Sequence, residues 1–290
     1  MAESRPLPIS GTTRLYAVLG DPISQVQAPS LVNDLLCRLG HDAVLVPVHA
    51  RPGDLWTVVA GLRHMRNLDG LLVTVPHKAA AAQLAADASE TVDITGAANA
   101  LRREPDGSWY ADNFDGIGFV AGLRAQGHEP AGLHVALIGA GGAGCAIGVA
   151  LLTAGVSRLS VTDTDPVRLD WLVRRLSKLW PEQVCGRPVP QLTGVQLAIN
   201  ATPLGMRPDD PLPFDPRDLP ANAVVADIIM RPRETALLRS AAARGLRIHH
   251  GHHMLLHQLD AYRAFFGLDR AVGASPDSGH SRSGIGFPSI

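Results

Sequence analysis

The stretch Leu133–Asp163, LHVALIGAGGAGCAIGVALLTAGVSRLSVTD, decides the fold. A short apolar run, Val135 to Ile138, meets Gly139, Gly141 and Gly144 in G-x-G-x-x-G spacing. Small and aliphatic residues continue to Gly155, and a second apolar run ends at Asp163. The order is strand, tight turn, helix, strand, with an acid closing the second strand. Gly139 permits the turn, Gly141 lets backbone approach a pyrophosphate, and Gly144 lets helix and strand pack closely. Gly142 and Ala143 complete the turn, and the helix start offers unpaired N–H groups and a positive dipole end to phosphates. This reads as a dinucleotide-binding unit. Residues 135–157 carry no charge, long enough for a membrane span. Six glycines concentrated at the start of that run favour a turn and a buried helix instead. Asp163 is placed to accept hydrogen bonds from an adenosine ribose and to repel a 2′-phosphate. The next basic residue is Arg168, so NAD is favoured over NADP.

Outward from that unit, 290 residues with 46% hydrophobic content suffice for one large or two ordinary domains with real cores. A net charge of -1 without long charge runs points away from nucleic acid and from anionic membrane surfaces. The partner expected is a small-molecule substrate, with a homodimer left open. Cys37, Cys145 and Cys185 are scattered and lack C-x-x-C spacing, which suits a reducing compartment. The polar start, MAESRPLPISGTT, lacks the apolar core of a signal peptide. The expectation is a cytoplasmic protein.

In chain order, Arg14–Gly20 reads as a strand, Pro29–Leu39 as a helix, Asp42–Ala50 as a strand and Pro52–Met65 as a helix. Gly70 opens a third strand, His77–Ala88 is alanine-rich and helical, and Ala97–Arg103 and Ser108–Asn113 form strands joined by a Pro-Asp-Gly turn. Asp115–Gln126 is a further helix. Beyond the dinucleotide unit, Val195–Asn200 and Ala223–Met230 read as parallel strands. The class is α/β: an N-terminal α/β substrate domain over 1–125 and a Rossmann dinucleotide-binding domain over 126–252. A helix from Met254 to Phe266 could fold back, its part 253–268 packing on the first domain. Residues 271–290, Gly- and Ser-rich, read as a mobile tail.

Polar residues cluster where strands end and helices begin, the usual place for sites in open α/β sheets. Thr74 and Lys78 flank VTVPHK, Asn99 lies in GAANAL and Asp115 in ADNFDG. Oxidising an alcohol needs a base for the hydroxyl proton as the hydride leaves, and the reverse needs an acid there. A Lys and an Asp could supply both, with Asn99 and Thr74 orienting hydroxyls. Lys78 alone also reads as a solvated charge at a helix start. His253 and His257 have i, i+4 ligand spacing, but neither H-E-x-x-H nor a carboxylate in register accompanies them, so no metal is expected. Cys145 stands at a helix start, where a thiol can be activated, although packing beneath the cofactor accounts for it more simply. Trp171 and Trp180 flank a basic helix segment that reads as a partly exposed face.

GDPISQVQAPSLVN, VTVPHK, GAANAL, DNFDGIGF, GAGGAG, NATPLGM, MRPRETALL and GHHMLLHQ occur in the order of the motifs of the shikimate dehydrogenase family. The chain resembles that family from about residue 13 to 268. The resemblance implies a two-domain NAD(P)-dependent oxidoreductase with its active site in an interdomain cleft. It implies that Lys78 and Asp115 are the catalytic pair, and that Thr74, Asn99 and Gln258 contact substrate hydroxyls. It assigns Asn200, Thr202, Met206 and Ile228 to the cofactor side, and Gly251 and Met254 to the nicotinamide.

The departures are all in one direction. The family loop G-x-P-I-x-H-S-x-S-P grips the substrate carboxylate with two serines; here those positions are Val26 and Ala28, and the His is Gln25. Leu72 replaces an Asn, Phe114 a Thr and Met230 a Tyr. A hydrogen bond to a charged group is worth roughly 1.5–3 kcal/mol, so losing two costs shikimate about 3–6 kcal/mol, a hundred- to ten-thousand-fold. The expected substrate presents a ring hydroxyl or ketone, as in shikimate or a related hydroxylated carbocycle, with an altered and less polar far end. True shikimate or quinate oxidation through a redrawn carboxylate site, and a non-catalytic NAD-binding sensor, are the alternatives.

Overall fold

The computed structural model describes residues 9–269; the tail expected at 271–290 lies outside them. In order, the strands are β1 (Arg14–Gly20), β2 (Ala43–His49), β3 (Leu68–Val73), β4 (Asp87–Ala88), β5 (Ala100–Arg103), β6 (Trp109–Asp112), β7 (His134–Ile138), β8 (Arg158–Thr162), β9 (Val184–Arg187), β10 (Leu197–Asn200), β11 (Val224–Asp227) and β12 (Arg247–His250). The helices are α1 (Ala28–Arg38), α2 (Leu55–Arg63), α3 (Lys78–Leu84), α4 (Glu90–Thr95), α5 (Asp115–Ala125), α6 (Gly142–Thr153), α7 (Pro166–Leu179), α8 (Ala236–Ala243), α9 (His252–Leu256) and α10 (Leu259–Phe265). The described chain divides into two compact units, residues 9–89, 98–112 and 259–269 in one and 90–97 and 113–258 in the other.

The first unit is built on a six-stranded sheet in the order β2-β1-β3-β5-β6-β4. β1 pairs in parallel with β2 and β3, while the short β5–β6 hairpin, turned at Pro105-Asp106-Gly107, joins antiparallel to β3. β1 is the apolar centre, with Ala17, Val18 and Leu19 buried. Gly70 leaves β3 bare where the Phe266 ring lies, since a Cβ there would sit 2.3 Å from that ring. That contact ties residues 259–269 to this unit.

The second unit carries a six-stranded, wholly parallel sheet, β12-β11-β10-β7-β8-β9. Its central strands HVALI, LAIN and VVAD are continuous apolar runs, as strands covered on both faces must be. α6 is apolar all round and almost wholly buried. The uncharged stretch is therefore a core helix, and no helix among the described residues is long and apolar enough to cross a membrane. α7 starts at Pro166 behind an Asp165 cap whose carboxylate accepts the Val167 and Arg168 N–H groups.

Several elements differ from the sequence expectation. The alanine-rich helix stops at Leu84, and Asp87–Ala88 pairs with β6 instead. The helix expected over Met254–Phe266 is broken into α9 and α10, and the boundary between the units falls between them. α5, which a cut at 125 gives to the first domain, packs within the second unit: a Cβ on Gly116 would lie 2.1 Å from the Ala146 carbonyl of α6. Trp180 is buried, and only Trp171 contributes to an exposed face, with Arg175 stacked 4.8 Å over its ring.

Candidate active site

In the first unit the candidate residues gather at the carboxyl ends of β1 and β3. Thr74 follows β3 directly, and its methyl packs so close to Gly20 that a Cβ there would be 2.4 Å away. The Val73 N–H donates to the Asn99 carbonyl at 2.8 Å and the Ala98 N–H to the Lys78 carbonyl at 2.9 Å. The backbone thus draws Thr74, Lys78 and Asn99 together. Lys78 is the first residue of α3, and the buried His77 before it is fixed through Nε2 to the Ala50 carbonyl at 2.7 Å. Asn99 is buried and donates from Nδ2 to the Tyr262 hydroxyl at 3.4 Å. On the same end of the sheet, Val26 is half-buried, Ala28 opens α1, and Ala28 and Leu72 are 6% and 3% exposed. These positions present carbon where hydroxyl and amide groups were the family pattern.

In the second unit the glycine turn joins β7 to α6. Gly139 has φ +109°, and a Cβ there would press 2.7 Å from the Ala201 carbonyl group. A Cβ on Gly144 would lie 2.0 Å from the Gly139 oxygen. Both glycines are therefore demanded by the chain itself. Gly141 is not: its φ of -76° suits any residue, and a Cβ would meet nothing within 4 Å. The space beside Gly141, at the start of a twelve-residue helix, fits the pyrophosphate of a dinucleotide. Cys145 is sealed under this turn, its thiol pushed up to about 12 by burial, so it is a packing residue.

Asp163, expected at the adenosine ribose, has both oxygens engaged by the chain. Oδ2 accepts the Ala140 N–H at 2.7 Å and Oδ1 the Asp165 N–H at 2.8 Å. It braces the glycine turn. Asp165 is more exposed, and the hydrogen bond from the Arg168 N–H, foremost, holds its carboxyl below the usual range. Its Oδ2 also accepts from Arg168 Nε at 2.9 Å.

At the ends of β10 and β11, Asn200 is fully buried and folds the NATPLGM segment around itself. Its Oδ1 accepts the Thr202 N–H and hydroxyl at 3.0 and 2.7 Å, and its Nδ2 donates to the Leu204 carbonyl at 2.9 Å. Thr202 and Met206 are half-buried on that segment. Gly251 is pressed on the next one, since a Cβ would be 2.5 Å from the Ile228 carbonyl group. Met254, in α9, is buried, and Met230 is half-buried.

Asp115 opens α5. Gln258 Nε2 donates to its Oδ1 at 3.2 Å, and both residues are buried. Gly118 makes this approach possible, because a Cβ would strike Gln258 Cγ and the Met254 carbonyl at 2.6 Å. Phe114 precedes Asp115 and is 8% exposed. The buried Asn113 accepts the Asp115 N–H at 3.1 Å and donates to the Ala97 carbonyl at 2.9 Å. Sequence reasoning passed over Asn113, Tyr262, Asp227 and Thr235. Asn113 and Thr235 stand just before helices and could have been found as caps; nothing in the sequence singles out Tyr262. Among the described residues no group of three or more His, Cys, Asp or Glu side chains could hold a metal ion.

The model of the shikimate dehydrogenase substrate-binding domain matches residues 18–101. The shikimate dehydrogenase (NADP(+)) of Rubrobacter xylanophilus is 40% identical over 272 residues, spanning 92% of this chain and 95% of that one. Among solved structures, the ligand-free 5-ketofructose reductase of a Gluconobacter strain superposes with a TM-score of 0.76 at 26% identity, covering 92% of this chain and 95% of that one. The quinate dehydrogenase of Corynebacterium glutamicum in complex with NAD gives a TM-score of 0.77 at 29% identity, over 88% and 94%. With these likenesses set beside the glycine turn and the strand-end polar groups, the chain belongs to the shikimate dehydrogenase family, NAD(P)-dependent oxidoreductases acting on a CH–OH group.

Proposed function

We propose that the protein transfers hydride reversibly between NAD and a ring hydroxyl or ketone of a hydroxylated carbocycle whose far end lacks the carboxylate of shikimate. The observation that carries this reading is the loop entering α1, where the side chains of Val26 and the buried Ala28 offer no hydrogen bond to an anion. Leu72, Phe114 and Met230 change in the same sense. The hydroxyl-handling groups Thr74, Lys78, Asn99, Asp115 and Gln258 are all retained. The likeness to a protein named for 5-ketofructose, a substrate without a carboxylate, supports such a change within this fold.

Bound NAD(P) supplies a nicotinamide that accepts or returns hydride. Gly139, Gly141, Gly142, Ala143 and Gly144 would hold its pyrophosphate, and Thr202, Met206, Ile228, Gly251 and Met254 its nicotinamide side. Lys78 and Asp115 would handle the hydroxyl proton, and Thr74, Asn99 and Gln258 would orient the ring hydroxyls. A lysine at the first position of a helix is opposed by the helix dipole, which favours a functional reason for Lys78. The preference for NAD over NADP rests on Asp163 and Asp165, two carboxylates at the end of β8, with Arg168 already engaged by Asp165. The substrate is a small molecule, and the free cysteines suit the cytoplasm.

Restoring the two hydroxyls tests the substrate assignment. The double variant Val26→Ser/Ala28→Ser should raise kcat/KM for shikimate roughly a hundredfold or more, by the worth of two charge-assisted bonds. No gain in a folded variant would count against it.

A further inference from the structure

Asp227 is a fully buried carboxylate that the proton chemistry does not use. It closes β11 and receives three hydrogen bonds, one from the end of β10 and two from the segment after β11. Asn200 Nδ2, at the end of β10, donates to Oδ1 at 3.1 Å. The Ile229 N–H, in the segment after β11, donates to the same oxygen at 3.0 Å. The Thr235 hydroxyl, which caps α8 by accepting the Leu238 N–H, donates to Oδ2 at 2.7 Å. Asn200 and Thr235 are themselves fully buried. Beyond Asp227, the two segments are tied by the Ile228 N–H donating to the Asn200 carbonyl at 3.1 Å. They also meet at Gly205, φ +109°, where a Cβ would lie 3.3 Å from Ile229 Cδ1 and 3.4 Å from Thr235 Cβ.

We infer that Asp227 is a positioning residue that holds the 200–206 and 228–235 segments in one register, so that Thr202, Met206 and Ile228 are set for the nicotinamide half of the cofactor before it binds. Asn200 is the intermediary: one face of its amide shapes the Thr202–Leu204 turn, and the other is held by Asp227. Without the carboxylate, three buried donors lose their acceptor and the turn is free to reorient. Preorganisation lost from a site appears as weaker binding. Burial raises the Asp227 carboxyl above its ordinary value, while the three donors pull it back. An asparagine of the same shape can still accept from Asn200 and Ile229 and can donate to the Thr235 oxygen.

The inference rests on assigning these segments to the cofactor, so the experiment separates the two. The readout is the Kd of NADH, with NADPH in parallel, from fluorescence titration without substrate, alongside far-UV circular dichroism. Gly141→Val, which meets nothing in the protein, tests the cofactor site itself and should weaken NADH binding at least tenfold; unchanged binding would overturn that assignment. Asp227→Ala should weaken NADH at least tenfold with the fold intact, and Asp227→Asn should stay within about threefold of the parent. Should Asp227→Ala not fold, Thr235→Val removes one arm only and should weaken NADH several-fold. A folded Asp227→Ala or Thr235→Val protein that binds NADH as tightly as the parent, while Gly141→Val does not, would overturn the role of Asp227. So would Asp227→Asn behaving like Asp227→Ala.

Discussion

At the scale of single residues, one ionic group tests the chemistry and another the cofactor preference. Lys78 sits where a cation is locally unfavourable, at the first position of α3. If it handles the hydroxyl proton, Lys78→Ala should lower kcat about 10²–10⁴-fold, with the Kd of NADH unchanged in the same protein. Near-full turnover would remove Lys78 from the mechanism. Asp165 is the group to change for the cofactor preference. Its carboxylate engages Arg168 Nε at 2.9 Å. Asp165→Asn removes a negative charge and releases that guanidinium, so the ratio of kcat/KM for NADP over NAD should rise tenfold or more, about 1.4 kcal/mol or above. An unchanged ratio would mean that the ribose end is read elsewhere.

At the scale of elements, β12 and α9 carry a histidine cluster whose cost is pH-dependent. His249 is 1% exposed with neither ring nitrogen hydrogen-bonded among the described residues. It faces His128 beyond α5, Phe119 of α5 and His253 of α9, with His250 and His252 nearby. Burial, and then these neighbours, push it down to about 3, and His253 to about 4. The folded state thus excludes protons that the unfolded chain takes up near 6.5. Stability is full above that value and declines as pH falls from about 6.5 toward 3, by roughly 3 kcal/mol at pH 4 from His249 alone. Urea unfolding from pH 7 to pH 4 should therefore be flatter for His249→Leu than for the parent; parallel profiles would contradict this. The elements also show what a sequence can carry. The turn from Val135 to Gly144 was legible because glycine, apolar run and helix coincide in one short stretch. The break between α9 and α10 was not, since nothing near His257 and Gln258 interrupts the helical pattern and tertiary packing decides it. Asp163 illustrates the same limit at the site: its place at the strand end was readable, its capture by two backbone N–H groups was not.

At the scale of the whole molecule, the two α/β units each carry polar groups at their strand ends. Motif order identified the family and the fold because it depends on residues spread over nearly the whole chain. The substrate depends on a few side chains, and Val26, Ala28, Leu72, Phe114 and Met230 offer it no polar hydrogen-bonding group. The measurement that bears most directly on this is the ratio of kcat/KM for shikimate to that for the same cyclohexene triol without its carboxylate, at saturating NAD. A site that grips the carboxylate with two bonds favours shikimate by about a hundredfold or more. The expected ratio is below about ten, with the triol turned over at least comparably. A shikimate preference of a hundredfold or more would contradict it, and would mean that other groups of this chain have taken over the anion.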